Sequence, residues 1–142
     1  MDKQKILIAD DEPGVRLLVS RMLEDEYIVL EAADGEEAIG IAKGQLPALI
    51  LMDLMMPKMD GYTACFRIKS DEVTKGIKVV ILTAIGHELN KKYAKEMNAD
   101  GYITKPFTHE SLVMEMRRLL ASSSDKVNKR LLGNQEYERP DM

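Results

Sequence analysis

The sequence predicts an α/β protein built on a doubly wound, five-stranded parallel sheet with helices on both faces. Two observations carry this prediction. Short aliphatic runs alternate five times with longer amphipathic stretches, which is the order of β–α units joined by right-handed crossovers. The runs ILIA, LILM and VVIL are almost purely aliphatic, as parallel strands covered on both faces should be. In such a sheet the functional crevice lies beyond the carboxyl ends of the strands.

The boundaries follow from these patterns. Strands are predicted at 5–9, 27–32, 48–53, 77–84 and 101–105. Helices are predicted at 13–26, 34–45, 61–71, 87–98 and 108–121. The first helix has Pro13 in its first turn, where proline is favoured. Its apolar residues recur at helical spacing and form one stripe: Val15, Leu18, Val19, Met22 and Leu23.

The later helices have their own signals. Acidic residues at 34–37 suit the positive end of the second helix, which closes near Gly44. Asp60 and Gly61 form a turn that leads into the third helix, in which Cys65 is interpreted as a packing residue. An apolar stripe marks the fifth helix: Leu112, Val113, Met116, Leu119 and Leu120.

Length and composition indicate one domain. The chain has 142 residues and a net charge of -4, which argues against nucleic-acid binding driven by bulk charge. The single Cys65 excludes an internal disulfide and the CxxC zinc patterns, and no apolar run approaches the ~18 residues of a membrane helix. We expect a cytoplasmic domain over 1–121, followed by a polar tail or the start of a linker at 122–142, with one helical turn near 127–132.

Polar side chains lie at or just beyond the carboxyl ends of four of the predicted strands. These residues are Asp10, Asp11, Asp53, Thr83 and Lys105. Three clustered carboxylates repel one another unless a cation compensates them, and oxygen ligands suit Mg²⁺. Lys105 and Thr83 are then placed to hold an anion such as a phosphoryl group. We expect Asp53 to be exposed at the end of its strand as a nucleophile that forms an acyl phosphate.

Four motifs in order over about residues 4–121 resemble the receiver domain of response regulators in two-component signalling. They are ILIADDEP, LILMDLMMPKMDG, VVILTA and GYITKPF. The fold that goes with this resemblance is flavodoxin-like, with strand order 2-1-3-4-5. Four motifs in register across five β–α units are far more specific than any of them alone.

The resemblance implies a role for each matching residue. Asp53 would be the phosphoacceptor, and Asp11 would bind Mg²⁺ directly, with Asp10 acting through water and the Met55 backbone carbonyl as a further ligand. Thr83 would donate a hydrogen bond to the phosphoryl group, and Lys105 would pair with it. The Lys105–Pro106 bond would be cis, and Tyr102 would be the aromatic residue that moves with Thr83.

The implied function is a phosphorylation-dependent switch that catalyses only its own phosphorylation and dephosphorylation. The donor would be a sensor histidine kinase or a histidine phosphotransfer protein. The added charge would alter the face formed by the fourth strand, the fourth helix, the fifth strand and the fifth helix, for an unidentified output partner or domain. No direct binding to nucleic acid or to a membrane is expected of this domain.

An enzymatic alternative is a Mg²⁺-dependent phosphatase of the haloacid-dehalogenase type, which also uses an aspartate nucleophile. Such enzymes have a second aspartate two residues after the nucleophile, and Met55 occupies that position here.

The resemblance to receivers also implies that the residues two after the phosphoacceptor and two after the threonine govern attack by water on the acyl phosphate. Here they are Met55 and Ile85, and we expect slow autodephosphorylation because neither side chain can orient a water. The residues Gly101, Ser111 and Glu115 depart from the charged pattern of receivers that form symmetric dimers.

Overall fold

The structure is a computed structural model that describes the backbone of residues 2–84 and 95–132 and the side chains of 2–82 and 95–121. Its strands are β1 (Gln4–Ala9), β2 (Tyr27–Ala32), β3 (Leu49–Asp53), β4 (Lys78–Ala84) and β5 (Gly101–Lys105). Its helices are α1 (Pro13–Leu23), α2 (Gly35–Gln45), α3 (Gly61–Ser70) and α4 (His109–Leu132). The predicted helix at 87–98 falls mostly outside the described residues.

All five strands are parallel and lie in the order β2-β1-β3-β4-β5, as predicted. Consecutive side chains of a strand point to opposite faces of the sheet, so the aliphatic runs contribute residues to two separate hydrophobic cores. Leu7, Ile50 and Ile81 pack on one face with residues of α2 and α3. Ile6, Leu51 and Leu82 pack on the other face with residues of α1 and α4. Helices therefore cover both faces of the sheet.

The carboxyl ends of two helices differ from the prediction by more than one residue. Helix α1 ends at Leu23 rather than at 26, because the next residues are Glu24, Asp25 and Glu26, whose charges oppose the negative end of the helix dipole. Helix α4 continues past 121 to Leu132. No proline or glycine occurs in that stretch before Gly133, so nothing in its sequence stops the helix.

Side-chain caps fix the starts of α2 and α3. The carboxylates of Asp34 and Asp60 accept backbone N–H bonds from Glu37 and Thr63 at 2.8 Å, which satisfies free donors at the starts of α2 and α3. Cys65 is buried as predicted, and this burial raises the pKa of its thiol to about 12. No helix in the described parts of the chain combines the length and apolar character needed to cross a bilayer.

Candidate functional site

Three carboxylates meet at the carboxyl edge of the sheet, where β1 and β3 end. One oxygen each from Asp10, Asp11 and Asp53 lies within 4.8 Å of the others. Asp10 is fully buried and Asp11 is exposed. Asp53 is only 8% exposed, so the expectation that its carboxylate is exposed was wrong. The chain after β3 folds back over it, and the Gly61 N–H closes this loop with a 2.9 Å bond to the carbonyl of Leu54.

Lys105 bridges two of these acids from the end of β5. Its Nζ donates to Asp53 Oδ1 at 2.9 Å and to Asp10 Oδ2 at 3.0 Å. Strand order explains this contact between residues far apart in sequence, because β5 lies beside β4, which pairs with β3. Within the described part of the chain, one ammonium faces three carboxylates, which leaves an excess of negative charge.

Burial and the neighbouring charged groups together shift two pKa values in the cluster. Burial raises the pKa of Asp53; the hydrogen bond from Lys105 opposes this rise, and the charges of Asp10 and Asp11 add to it. Burial acts to lower the pKa of Lys105, but its bonds to Asp53 and Asp10 outweigh burial, and the net shift is upward. The lysine therefore stays protonated, whereas the carboxylate of Asp53 is held in a costly charged state.

The loop that carries Asp10 and Asp11 is held by backbone and side-chain bonds. The Glu12 N–H donates to Asp10 Oδ1 at 2.9 Å. Arg16 of α1 donates from Nη1 to the Asp10 carbonyl at 2.7 Å and from Nε to Glu31 Oε1 at 3.0 Å. Arg16 was not among the predicted site residues. Its only sequence signal is a charged residue next to the apolar stripe of α1, which does not show that the side chain turns back to the loop.

Gly61 is a second functional position that the sequence analysis interpreted only as part of a turn. A Cβ at this residue would collide with the carbonyl oxygen of Asp53 and would lie 2.9 Å from the Cα of Leu54. Only glycine allows α3 to begin this close to the end of β3. The close approach sets the path of the loop over Asp53.

The carboxylate cluster opens into a cavity of about 1050 Å³. Asp11, Asp53 and Lys105 line its polar part, and Leu18, Met55 and Phe107 are among its apolar lining residues. Met55 is 79% exposed, so its side chain does not anchor the loop. All candidate ligands are oxygen atoms, which fits Mg²⁺ and does not fit metals that prefer sulfur or nitrogen.

Of the other predicted site residues, Thr83 and Pro106 lie at or near the same edge, whereas Tyr102 is the second residue of β5, near the amino end of that strand. Thr83 pairs with Thr104 through the backbone of β4 and β5, and its side chain is outside the described part. Tyr102 is 42% exposed on β5. The Lys105–Pro106 bond is cis, as the resemblance implied, and Pro106 lines the cavity. The structure thus brings Asp10, Asp11, Asp53 and Lys105 into direct contact range.

Two of the residues that depart from the dimer-forming pattern, Gly101 and Glu115, lie against each other within one chain. The Glu115 carboxylate lies where a side chain at residue 101 would lie: a Cβ on Gly101 would be 2.5 Å from its Oε2. The same carboxylate pairs with Arg118 at 2.7 Å. The absence of a symmetric dimer and the slow autodephosphorylation stay predictions, and Ile85 lies outside the described residues.

Residues 6–117 match the family model described as response regulator receiver domain. The chain is 44% identical over 117 residues to the DNA-binding dual master transcriptional regulator RpaA of Synechocystis, covering 82% of this chain and 48% of that protein. It is 39% identical over 116 residues to response regulator PleD of Caulobacter vibrioides, covering 81% of this chain and 26% of PleD. The chain spans about half the length, or less, of the curated relatives it matches.

The fold of this chain also matches solved structures. A putative response regulator from Chloroflexus aurantiacus superposes with a TM-score of 0.81 at 34% identity, covering 84% of this chain and 99% of that one. The receiver domain of the sensor histidine kinase PA1611 from Pseudomonas aeruginosa, solved with a magnesium ion in its active site cleft, has a TM-score of 0.78 at 29% identity, covering 84% of this chain and 99% of that one.

Proposed function

The chain belongs to the response regulator receiver domain family, and we propose that it is a phosphorylation-dependent switch whose phosphoacceptor is Asp53. The observation that carries this proposal is the bond from Lys105 Nζ to Asp53 Oδ1, 2.9 Å long, inside a cluster of three carboxylates that faces an open cavity. A nucleophile, a fixed positive charge and a binding site for a cation are the parts that phosphoryl transfer needs.

The proposed step is attack by a carboxylate oxygen of Asp53 on the phosphorus of a phosphohistidine. The new P–O bond forms as the P–N bond breaks, and the imidazole leaves as a neutral ring that keeps the proton on its other nitrogen. Lys105 then donates to an oxygen of the attached phosphoryl group.

Asp10, Asp11, Asp53 and the carbonyl of Met55 are the proposed ligands for Mg²⁺. When bound, Mg²⁺ would offset the excess negative charge of the cluster and stabilise charge on the phosphoryl oxygens. The fit rests on the charge count: among the residues that the structure describes, Lys105 is the only cation paired with this cluster, whose three carboxylates have oxygens within 4.8 Å of one another. The magnesium ion named in the PA1611 receiver structure supports the same assignment here.

An exposed apolar surface of α1 beside the cavity suits a protein as the phosphodonor. Leu17 and Leu18 are 54% and 50% exposed, and Leu18 lines the cavity together with Phe107. A partner that brings a phosphohistidine to Asp53 has to cover this rim. We infer that α1 and the segment after β5 contact a histidine kinase or a phosphotransfer protein.

The switch would act through β5. Attachment of a phosphoryl group adds about −1.5 to −2 charges at Asp53. Lys105, which now divides its bonds between Asp53 and Asp10, would shift toward the new charge and draw the end of β5 with it. Tyr102 lies on the same strand, so the exposed surface of β5 and its neighbouring helices would change for an output partner or domain.

Phosphorylation by a small donor tests the proposal. Incubation with acetyl phosphate or phosphoramidate and Mg²⁺ is expected to add one phosphoryl group, seen as a shifted band in a phosphate-affinity gel, and to give no signal with EDTA. Asp53→Ala should abolish the shift, whereas Asp25→Asn, at an exposed carboxylate outside the cluster, should keep it. Labelling that persists in Asp53→Ala contradicts the assignment, and sustained turnover of phosphate esters would favour the phosphatase alternative.

A further inference from the structure

The β3–α3 loop, residues 54–60, rests on the amino end of α2. A Cβ built on Gly35 would lie 2.7 Å from the carbonyl oxygen of Met59 and 3.0 Å from its Cβ. Beside this contact, Lys58 Nζ and Asp34 Oδ2 form an ion pair of 3.6 Å. The loop and the helix therefore touch through backbone at Gly35 and through charge at Asp34.

Space, rather than backbone conformation, requires glycine at position 35. Its φ is not in the left-handed region, so an alanine could adopt the same backbone. The atom nearest to the added Cβ is a main-chain oxygen, which cannot rotate away as a flexible side chain would. An alanine at this position therefore has to displace the loop or the first turn of α2.

The loop cannot absorb such a displacement within itself. The Met59 N–H donates to the Pro57 carbonyl at 2.7 Å, and Lys58 between them has a φ of 69°, which is a tight turn. At its base the loop is closed by the bond from the Gly61 N–H to the Leu54 carbonyl. A shift at Met59 is therefore passed along the chain toward Met55.

We propose that Gly35 and Asp34 are positioning residues for the metal site, which set the height of the β3–α3 loop over Asp53. The inference rests on the proposed function, in which the Met55 carbonyl is a Mg²⁺ ligand. Asp34 serves two purposes: one oxygen caps α2 and the other pairs with Lys58, so the loop is tied to a fixed helix end. Neither residue touches the cavity, and both act through the loop.

Glycines of the same helix provide a matched pair of variants. Gly35→Ala and Gly40→Ala make the same chemical change in α2, but a Cβ at Gly40 meets nothing within 4 Å. Mg²⁺ affinity is measured by titration calorimetry, and thermal unfolding is recorded in EDTA. We expect Gly35→Ala to weaken Mg²⁺ binding by about 10-fold or more, as loss of an outer support of a metal site does. Gly40→Ala should bind Mg²⁺ as the wild type does and unfold at a higher temperature.

Equal Mg²⁺ affinity of Gly35→Ala and the wild type overturns the proposal. If Gly35→Ala does not fold, Met59→Ala decides the question, because it removes the side chain that seats the loop between Gly35 and the core. We expect Met59→Ala to weaken Mg²⁺ binding by about threefold or more, and Met114→Ala, at a methionine 69% exposed on α4, to have no effect. Unchanged affinity in Met59→Ala likewise overturns the proposal. A wild type that binds no Mg²⁺ overturns the metal site itself, and the positioning role with it.

Discussion

A lysine pairs with aspartate at each end of the sheet, and the surroundings of the two pairs differ. At the amino ends of β4 and β5, Lys69 donates to Asp100 Oδ2 at 2.8 Å and to the Ile77 carbonyl at 3.0 Å. The Val79 N–H donates to the same Asp100 oxygen at 2.8 Å. We name Lys69 and Asp100 the amino-end pair. One positive charge meets one negative charge there, and both are partnered by the backbone.

The carboxyl-end cluster consists of Asp10, Asp11, Asp53 and Lys105, and it is unbalanced. Lys105 Nζ pairs with two carboxylates, at 2.9 and 3.0 Å. An oxygen of the third carboxylate lies within 4.8 Å of oxygens of the other two, and the cavity opens beside them. A lysine–aspartate contact alone therefore does not indicate function. The proposed reactive end has excess charge next to open space, whereas the charges at the opposite end are fully paired.

The largest effect is expected from Lys105→Met. Without its ammonium, three carboxylates remain without a positive charge, and we expect a loss of about 3 kcal/mol in the free energy of unfolding in EDTA. Mg²⁺ should restore much of this loss, because the ion binds the folded cluster and no longer competes with the lysine. Urea unfolding with and without Mg²⁺ checks this, and a Mg²⁺-induced gain no larger than that of the wild type would argue against a shared cation position.

Lys69→Met is expected to cost about 2 kcal/mol, because it leaves the Asp100 carboxylate partly buried and short of one partner. This loss should be the same with and without Mg²⁺, and phosphorylation of Asp53 should persist. Arg117→Met is the control, since the pair of Arg117 and Glu26 is exposed and its loss should change stability by less than about 0.5 kcal/mol. If Mg²⁺ restored the free energy of unfolding of Lys69→Met, the proposed difference between the two ends would be wrong.

Asp53→Asn should have a smaller effect of the opposite sign. Because the pKa of Asp53 is raised, its charged form destabilises the fold, and that cost is present at pH values above its raised pKa. Removing the charge should therefore stabilise the protein in EDTA by about 0.5–2 kcal/mol near neutral pH. The gain should shrink as pH falls through the raised pKa, where the wild-type carboxyl is also neutral. A destabilised Asp53→Asn at neutral pH would show that the cluster is not strained.

The sequence predicted the sheet and the composition of the carboxyl-end cluster, because both depend on where aliphatic runs stop. Asp53 and Lys105 are the last residues of their strands, Asp10 directly follows another strand, and parallel strands end at one edge. The burial of Asp53 could not be predicted in this way, since it depends on how the chain after β3 folds back. The position of Gly61 against Asp53 shows this fold-back, and a Gly in a turn motif does not.

The amino-end pair was also missed, for a different reason. Lys69 lies near the end of a helix and Asp100 lies before a strand. In the sequence, each is typical of an ordinary surface charge. Their contact depends on the packing of α3 beside β4, which no local pattern encodes. The contact of Gly35 with Met59 is of the same kind, because glycine at the start of a helix is explained equally well by helix capping.

Chemical identification of the phosphorylated residue would establish whether Asp53 is the phosphoacceptor. An acyl phosphate formed with acetyl phosphate and Mg²⁺ can be reduced with borohydride, which converts the modified aspartate to homoserine, and peptide mass spectrometry then identifies the residue. We expect homoserine at position 53 and at no other carboxylate, with none formed in EDTA. Homoserine at Asp10 or Asp11, or equal labelling without Mg²⁺, would contradict it.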